Sequence, residues 1–320
     1  MLGGDAYALF YAAVMRAVLV VNPQATATTA AGRDVLAHAL ASEVKLDVIE
    51  TDYRGHAMKA ARKAAEEGVD LVVAHGGDGT VNEVVNGLLT AGSPAPMLGV
   101  VPGGSANVFA RALGLPRDPV EATGVLLTAI ESGRSRTVGL GRVSWHDGSR
   151  FFTFNAGVGW DADVVAWVDR KRGKQTSPYL YARAALACYM KPSHGQPQLQ
   201  IEIPGEQPHQ GGRLAFVSNT DPWTYLGNRP VHLNSECTFD GGLGLYSLST
   251  LRLPTVLRAL RQAVSKRGNQ RGGKVLRRDD VGLIRVTAEE PVRLQVDGDL
   301  VGERTNVEFT SVPRALVVAL

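Results

Sequence analysis

The sequence has only two cysteines, Cys188 and Cys237, in 320 residues. That excludes a disulfide framework, and neither cysteine stands in a metal-type pair, so a reducing, cytoplasmic setting with inert thiols is expected. Aromatic residues are also scarce, at 6%. Without aromatics interleaved among basic residues, there is no case for a nucleic-acid partner. No run reaches transmembrane length. The opening stretch Met1 to Val14 is apolar but carries Asp5 in place of a basic n-region, and reads as neither signal nor anchor. Met15 directly precedes the first strand-like run, and the sequence does not choose between the two start sites. Hydrophobic residues at 44% and charged residues at 20% exclude a disordered chain, and 36 glycines imply many tight turns or close backbone approaches. The formal net charge of +3 names no partner by itself.

The length favours two domains sharing a cleft over one. From Arg16 to about Gly99 strands and helices alternate: strand Ala17 to Val21, helix Gly32 to Ser42, strand Lys45 to Ile49, helix Arg54 to Gly68 and strand Asp70 to Ala74. Strands apolar on both faces, separated by helices, predict a parallel sheet covered by helices. After Pro116 and a helix over Val120 to Ser132, short β-type runs take over. They are Ser135 to Ser144, Arg150 to Asn155, Leu199 to Ile203, Arg213 to Ser218, Gly244 to Ser249, Val281 to Thr287, Val292 to Val296, Asn306 to Thr310 and Ala315 to Ala319. Helices are predicted at Tyr179 to Met190 and Pro254 to Arg267. The expected fold is therefore α/β plus β. A parallel α/β nucleotide-binding domain spans 1–134 and takes back the last strand, about 309–320, and a mainly antiparallel β-sandwich domain spans 135–308, with the active-site cleft between them.

The strongest local signal is His75-Gly76-Gly77-Asp78-Gly79-Thr80-Val81-Asn82-Glu83, at the end of a predicted strand and the start of a predicted helix. Glycines let backbone approach a phosphate without a Cβ in the way, and amides at a helix start point at anionic oxygens. Thr80 and Glu83 have capping-box spacing, which predicts that the helix begins at Thr80, with Val81, Val84, Val85 and Leu88 as its buried stripe. Asp78 breaks the pattern. A carboxylate facing phosphate requires a metal or hydrogen-bond donors beside it, so it is the first Mg²⁺ candidate. A lone Gly-Gly turn serves backbone freedom alone equally well, but a second loop, Val101-Pro102-Gly103-Gly104-Ser105-Ala106-Asn107, follows the next apolar run. Two such loops at successive strand ends line one crevice of a parallel sheet, with Asn22-Pro23 on the same rim.

These segments, with Thr51, Phe154 to Gly159, Asp161-Ala162, Asp240-Gly241, Asp297-Gly298-Asp299 and Val312-Pro313 in the same order, resemble the bacterial diacylglycerol kinase family, whose superfamily includes sphingosine and ceramide kinases. The resemblance implies an ATP-dependent lipid kinase transferring the γ-phosphoryl to a lipid hydroxyl, with diacylglycerol as the default acceptor and phosphatidic acid as product. It implies ATP on Gly77, Asp78, Gly79, Thr80, Asn82 and Glu83, on Thr51, and on Ser105 with its neighbours Gly104 and Asn107. Gly76, Asn22 and Pro23 border that site, and no Walker lysine takes part. The family's base is the glutamate of an Asp-Gly-Glu motif, and the matching position here is Asp299. The shorter side chain loses one methylene of reach, and Asp297 competes for the role. Asp297-Gly298 also reads simply as a hairpin turn. A second metal position falls at Asp240 with Asp161; a turn cap or an arginine pair is the alternative for each.

The expected cofactors are ATP and Mg²⁺. The acceptor side is less sharply written, because runs that line an acyl pocket look like runs that fill a core. From Arg258 to Arg278 eight basic residues stand without an acid, and Pro254 to Arg267 is amphipathic, with Val256, Leu257, Leu260 and Val264 on one side. This suits peripheral contact with an anionic membrane, and a solvated charged face is the alternative. His56 and His75 read as surface and packing histidines, and Trp160, Trp167 and Trp223 as packing residues. Asn219 to Gly227 is turn-rich and is a candidate cleft wall. A homodimer is left open. Two other functions compete: a kinase for another lipid or for a small molecule such as NAD, whose kinases share the Gly-Gly-Asp-Gly loop, and a non-catalytic nucleotide or lipid sensor, suggested by aspartate at the base position.

Overall fold

The computed structural model describes residues 15–92, 94–171, 198–265 and 270–320, with 183, 187, 188 and 268. Four parallel strands open the chain: β1 (Arg16–Val21), β2 (Lys45–Glu50), β3 (Leu71–Gly76) and β4 (Met97–Pro102), in spatial order β2-β1-β3-β4. Helices α1 (Ala30–Ala41), α2 (His56–Glu66), α3 (Asp78–Thr90), α4 (Val108–Ala112) and α5 (Pro119–Ser132) connect or follow them. β1 and β3 are buried along nearly their whole length, as strands covered on both faces must be. Helices α2 and α3 pack through small residues. Ala57, Ala60, Ala61 and Ala64 are buried, and a Cβ on Gly87 would fall 2.3 Å from the Met58 carbonyl oxygen. The expected stripe Val81, Val84, Val85 and Leu88 is at most 3% exposed, and each such side chain contributes roughly 1.5–3 kcal/mol of burial.

The remaining strands are antiparallel: β5 (Ser135–Trp145), β6 (Gly148–Phe152), β7 (Asn155–Gly159), β8 (Leu199–Glu202), β9 (His209–Gly212), β10 (Leu214–Ser218), the separate hairpin β11 (Thr224–Leu226) and β12 (Arg229–Val231), β13 (Leu243–Leu248), β14 (Val275–Val281), β15 (Leu283–Val296) and β16 (Asp299–Ala319). Helices α6 (Trp160–Lys171) and α7 (Leu253–Ala263) interrupt them. β16 joins the two parts, because it pairs with β15 and β5 antiparallel and with β4 parallel at Val318↔Leu98. The architecture is thus a mixed sheet, parallel in its N-terminal α/β part and antiparallel beyond, as expected. The core gathers in separate apolar clusters, one around α2 and α3 and another between β7, β10, β13 and β15.

Several elements differ from expectation. Helix α3 starts at Asp78, with Gly77 as an N-cap that has no side-chain cap, so Thr80 and Glu83 form no capping box. The predicted strand Arg150 to Asn155 breaks into β6 and β7, because Thr153 and Phe154 turn their amides toward Asp297. Val281 to Thr287 and Val292 to Val296 mostly merge into β15, where a register shift between Thr287 and Val292 absorbs the intervening residues. A second irregularity, between Val312 and Leu316, lets β16 run through Pro313, with Arg314 at φ 52°. Lys274 to Arg278 belongs largely to strand β14, and α7 stops at Ala263. The helix predicted at Tyr179 to Met190 falls almost wholly outside the described residues.

Candidate functional site

The first glycine loop forms where β3 turns into α3, and the second where β4 ends. Each is glycine because the other is close. The Gly103 amide donates to the Gly76 carbonyl at 2.7 Å, and a Cβ on Gly104 would sit 2.6 Å from the Gly77 Cα. Gly76 is crowded by Thr80, whose Oγ1 would be 2.6 Å from a Cβ. Asn107, at φ 47°, closes the second loop on itself: its Oδ1 accepts from the Gly104 amide at 2.9 Å and its Nδ2 donates to the Gly104 carbonyl at 2.7 Å. The result is a backbone cradle beside the uncapped N-terminus of α3, a place suited to anionic oxygens.

Asp78 stands at that N-terminus. Its Oδ1 accepts from the Phe109 amide at 3.2 Å, and the amides of Val108 and Asn107 also favour its ionised form. Burial wins over them and, with the nearby Asp297 charge, pushes the carboxyl up to about 7. On the rim, Asn22 donates from Nδ2 to Thr80 Oγ1 at 3.1 Å, and Ser105 Oγ lies 3.3 Å from Thr26 Oγ1. Thr51 is 9% exposed and its amide donates to the Val21 carbonyl. Glu83 reaches sideways: Oε1 accepts from the Gly55 amide at 2.7 Å and Oε2 from the Ala57 amide at 3.2 Å, so it caps α2 instead of its own helix.

Across the cleft, β15 turns into β16 through Asp297 and Gly298, both at positive φ, as a two-residue hairpin requires. Asp299, on the far side of the turn, lays its Oδ2 3.7 Å from where a Gly79 Cβ would be. Its oxygens accept from Arg54 Nη2 at 3.0 Å and Arg150 Nη2 at 3.3 Å. Asp297 is 5% exposed and fully engaged. It accepts from the amides of Thr153, Phe154 and Asn155, from Thr153 Oγ1 and from Asn82 Nδ2, at 2.7–3.1 Å. Burial raises its pKa, and these donors pull the other way. With its acceptor positions taken, Asp297 holds the turn that presents Asp299.

The glycine loops and Asp299 share one cavity of about 1280 Å³. One end is lined by Asn22, Pro23, Thr51, Gly77, Asp78, Gly79, Thr80, Glu83, Gly104 and Ser105. The other is apolar, with Trp160, Val164, Phe216, Tyr246, Leu248 and the α7 residues Val256, Leu257 and Leu260. Gly76, Asn82 and Asn107 lie behind this surface. Asn82 is fully buried and spends its amide on Asp297, Phe151 and Arg150. Asp240 is exposed and paired with Arg136 at 2.9 Å, away from the cavity wall. Asp161 lies at the start of α6, its side chain outside the described residues. Among the described residues no cluster of three or more His, Cys, Asp or Glu is arranged for a metal.

His75 packs as expected, with Nδ1 donating to the Val101 carbonyl and burial lowering its pKa, and His56 stacks on Tyr53. Trp167 packs beside Val164 and Val168, and Trp160 and Trp223 also pack against apolar clusters while lining the cavity wall. The turn-rich stretch forms the hairpin β11–β12, which does border the cavity. Arg111 fastens it to α4, with its guanidinium 3.2 Å from the Tyr225 ring centre and its Nη1 on the Gly227 carbonyl. The sequence pattern does not single out Arg54 or Arg150. Arg54 has a signal in hindsight, its place three residues after Thr51, but Arg150 meets Asp299 only through the tertiary fold.

Residues 16–143 match the family model of the diacylglycerol kinase catalytic domain. This match supports a place in the bacterial diacylglycerol and lipid kinase family. It is similar to a diacylglycerol kinase of Bacillus subtilis (strain 168), 28% identical over 270 residues that cover 84% of each chain. Its fold is that of a diacylglycerol kinase crystal structure from Bacillus anthracis str. Sterne, with a TM-score of 0.69 at 20% identity, covering 96% of this chain and 97% of the other. A more distant likeness is to an NAD kinase from Archaeoglobus fulgidus solved with ATP, with a TM-score of 0.53 and 14% identity over 96% and 94% of the two chains. The chain is therefore an enzyme of the lipid kinase class.

Proposed function

We propose that the kinase transfers the γ-phosphoryl group of ATP to the hydroxyl of a membrane-derived lipid, with diacylglycerol as acceptor and phosphatidic acid as product. The observation that carries this reading is one continuous cavity, polar and glycine-lined at one end and apolar at the other, with Asp299 on its lining beside Gly79. The triphosphate fits the polar end, because α3 has no side-chain cap and the Gly77 and Gly104 backbones leave no Cβ in the cradle. The acyl chains fit the apolar end, walled by α6, α7 and β13.

Mg²⁺ fits beside Asp78. A magnesium ion carried on phosphates needs only one or two protein carboxylates, and a divalent charge there would favour the ionised form that burial opposes. Bound there, it would neutralise phosphate charge during transfer. Asp240 and Asp161 remain proposals for a second metal position. Asp299 holds the acceptor hydroxyl and takes its proton as the oxygen attacks phosphorus. The α/β part, 1–134 with the strand from about 309, supplies the nucleotide side, and 135–308 the lipid side. No helix among the described residues is long and apolar enough to cross a membrane, so access to the lipid is proposed to be peripheral, from the cytoplasmic face.

The test is transfer of radiolabelled γ-phosphate from MgATP to diacylglycerol, monoacylglycerol, sphingosine, ceramide and NAD in mixed micelles, by the unaltered chain and by Asp299→Asn. Labelled diacylglycerol is expected, with turnover falling roughly 10²–10⁴-fold in the variant while nucleotide binding persists. Label on NAD alone would replace the lipid by a small-molecule acceptor. ATP binding with an empty panel would favour a sensor.

A further inference from the structure

Among the described residues that line the cavity, Arg54 is the one lysine or arginine, whereas five carboxylates, Asp52, Asp78, Glu83, Asp297 and Asp299, belong to the same lining. Transfer of a phosphoryl group from a triphosphate concentrates negative charge at this end, and the two glycine loops of this chain hold no lysine to offset it. Arg54 is placed with unusual care for an exposed side chain. The residues on either side of it are fixed, since Thr51 donates to Val21 on the strand behind and Gly55 and Ala57 are held by the Glu83 carboxylate from α3 itself. The arm is therefore anchored to the same helix whose N-terminus forms the phosphate cradle. Its guanidinium, 63% exposed, crosses the cleft to Asp299, whose other oxygen is held by Arg150.

We infer that Arg54 is a catalytic residue of this kinase. It parks on Asp299 in the free enzyme and turns onto the γ-phosphoryl when the triphosphate binds. The inference rests on the nucleotide reading proposed above. The exchange does two things at once. It places a planar, permanently charged donor on the oxygens of the transferring group, and it releases one oxygen of Asp299 to face the lipid hydroxyl. In the transfer, the hydroxyl oxygen forms the new O–P bond. The bond from the γ-phosphorus to the β–γ bridging oxygen breaks, its electron pair leaves on ADP, and the hydroxyl proton passes to Asp299. Arg150, 19% exposed and tied through Nε to Asn82, stays on the second Asp299 oxygen and keeps the carboxylate oriented.

The exchange predicts a pattern that a merely structural ion pair does not. Calorimetric titration of the full chain with MgADP and with the magnesium complex of adenylyl imidodiphosphate reads the contribution of the third phosphate. The unaltered enzyme is expected to prefer the triphosphate analogue. Arg54→Gln is expected to lose about tenfold or more of that preference with ADP affinity unchanged, and Arg54→Lys to keep part of it. Asp299→Asn, which removes the charge that holds the guanidinium across the cleft, is expected to widen the preference. The inference is overturned if Arg54→Gln leaves the preference intact, or if it weakens both nucleotides alike. Failure of the unaltered chain to bind either nucleotide would remove the nucleotide reading itself, and the inference with it.

Discussion

At the scale of the residue, the carboxylates of the cleft differ less in position than in what surrounds them. Asp297 is saturated with donors, Asp299 is held by two arginines, and Asp78 is buried against three amides that only partly offset its desolvation. Asp78 therefore titrates near neutrality, at about 7 when folded against an ordinary 3.8. The sign of its effect on stability follows. Between those values the folded chain binds a proton that the unfolded chain has released, so this contribution is full below about pH 4 and is lost as pH rises through 7. The raised pKa of Asp297 acts in the same direction. Removing the titration in Asp78→Asn should then flatten, without abolishing, the fall in melting temperature of the ligand-free kinase between pH 5 and pH 8. Thermal unfolding of both proteins across that range checks it, and parallel curves would mean that Asp78 is ionised throughout.

At the scale of the element, the sequence is most informative where structure is local. The alternating strands and helices, both glycine loops and the Asp297-Gly298 turn are all legible, because each is written in a short run of residues, even where, as in the glycine loops, the contact that requires it is distant. Long-range partners are not. Thr80 and Glu83 have the spacing of a capping box, yet helix α3 starts at Asp78, and Glu83 is drawn instead to the amides of Gly55 and Ala57 at the start of α2. The signal was real in pattern and wrong in partner, since Gly55, at φ 89°, brings no side chain of its own to cap α2. The break between β6 and β7 has the same origin, because Asp297, more than 140 residues away, claims the amides that would have continued the strand. Glu83 lines the cavity as well, so its role is decided by substitution. If it serves α2, Glu83→Ala should lower the free energy of unfolding in urea by about 1–2 kcal/mol, the usual worth of a lost N-terminal cap. A variant of unchanged stability that no longer binds nucleotide would make Glu83 a ligand contact instead.

At the scale of the whole molecule, the sequence indicated a cleft but not its continuity with an apolar chamber, because lining and core residues share one composition. The basic cluster shows the same limit. Arg277 and Arg278 lie on β14 and pair with Asp279 and Glu206, Lys266 and Arg267 lie outside the described residues, and α7 holds Arg258 and Arg261 exposed. On that helix Leu253, Leu257 and Leu260 are 53–56% exposed and also line the cavity, so one short element is both outer surface and chamber wall. Apolar residues flanked by cations suit the interface of an anionic bilayer, where each basic side chain contributes about 1 kcal/mol. Replacing both cations, Arg258→Gln with Arg261→Gln, should then release the kinase from vesicles of phosphatidylglycerol in a flotation assay. Binding of the unaltered chain should itself weaken as salt shortens the screening length from about 10 Å toward 3 Å. Because neither arginine lines the cavity, turnover of a short-chain acceptor dissolved as monomer should be unaffected, while turnover of long-chain acceptor in those vesicles should fall. Equal losses on both substrates would place the arginines in the fold or the site, and unchanged flotation would move membrane contact to another face of the molecule.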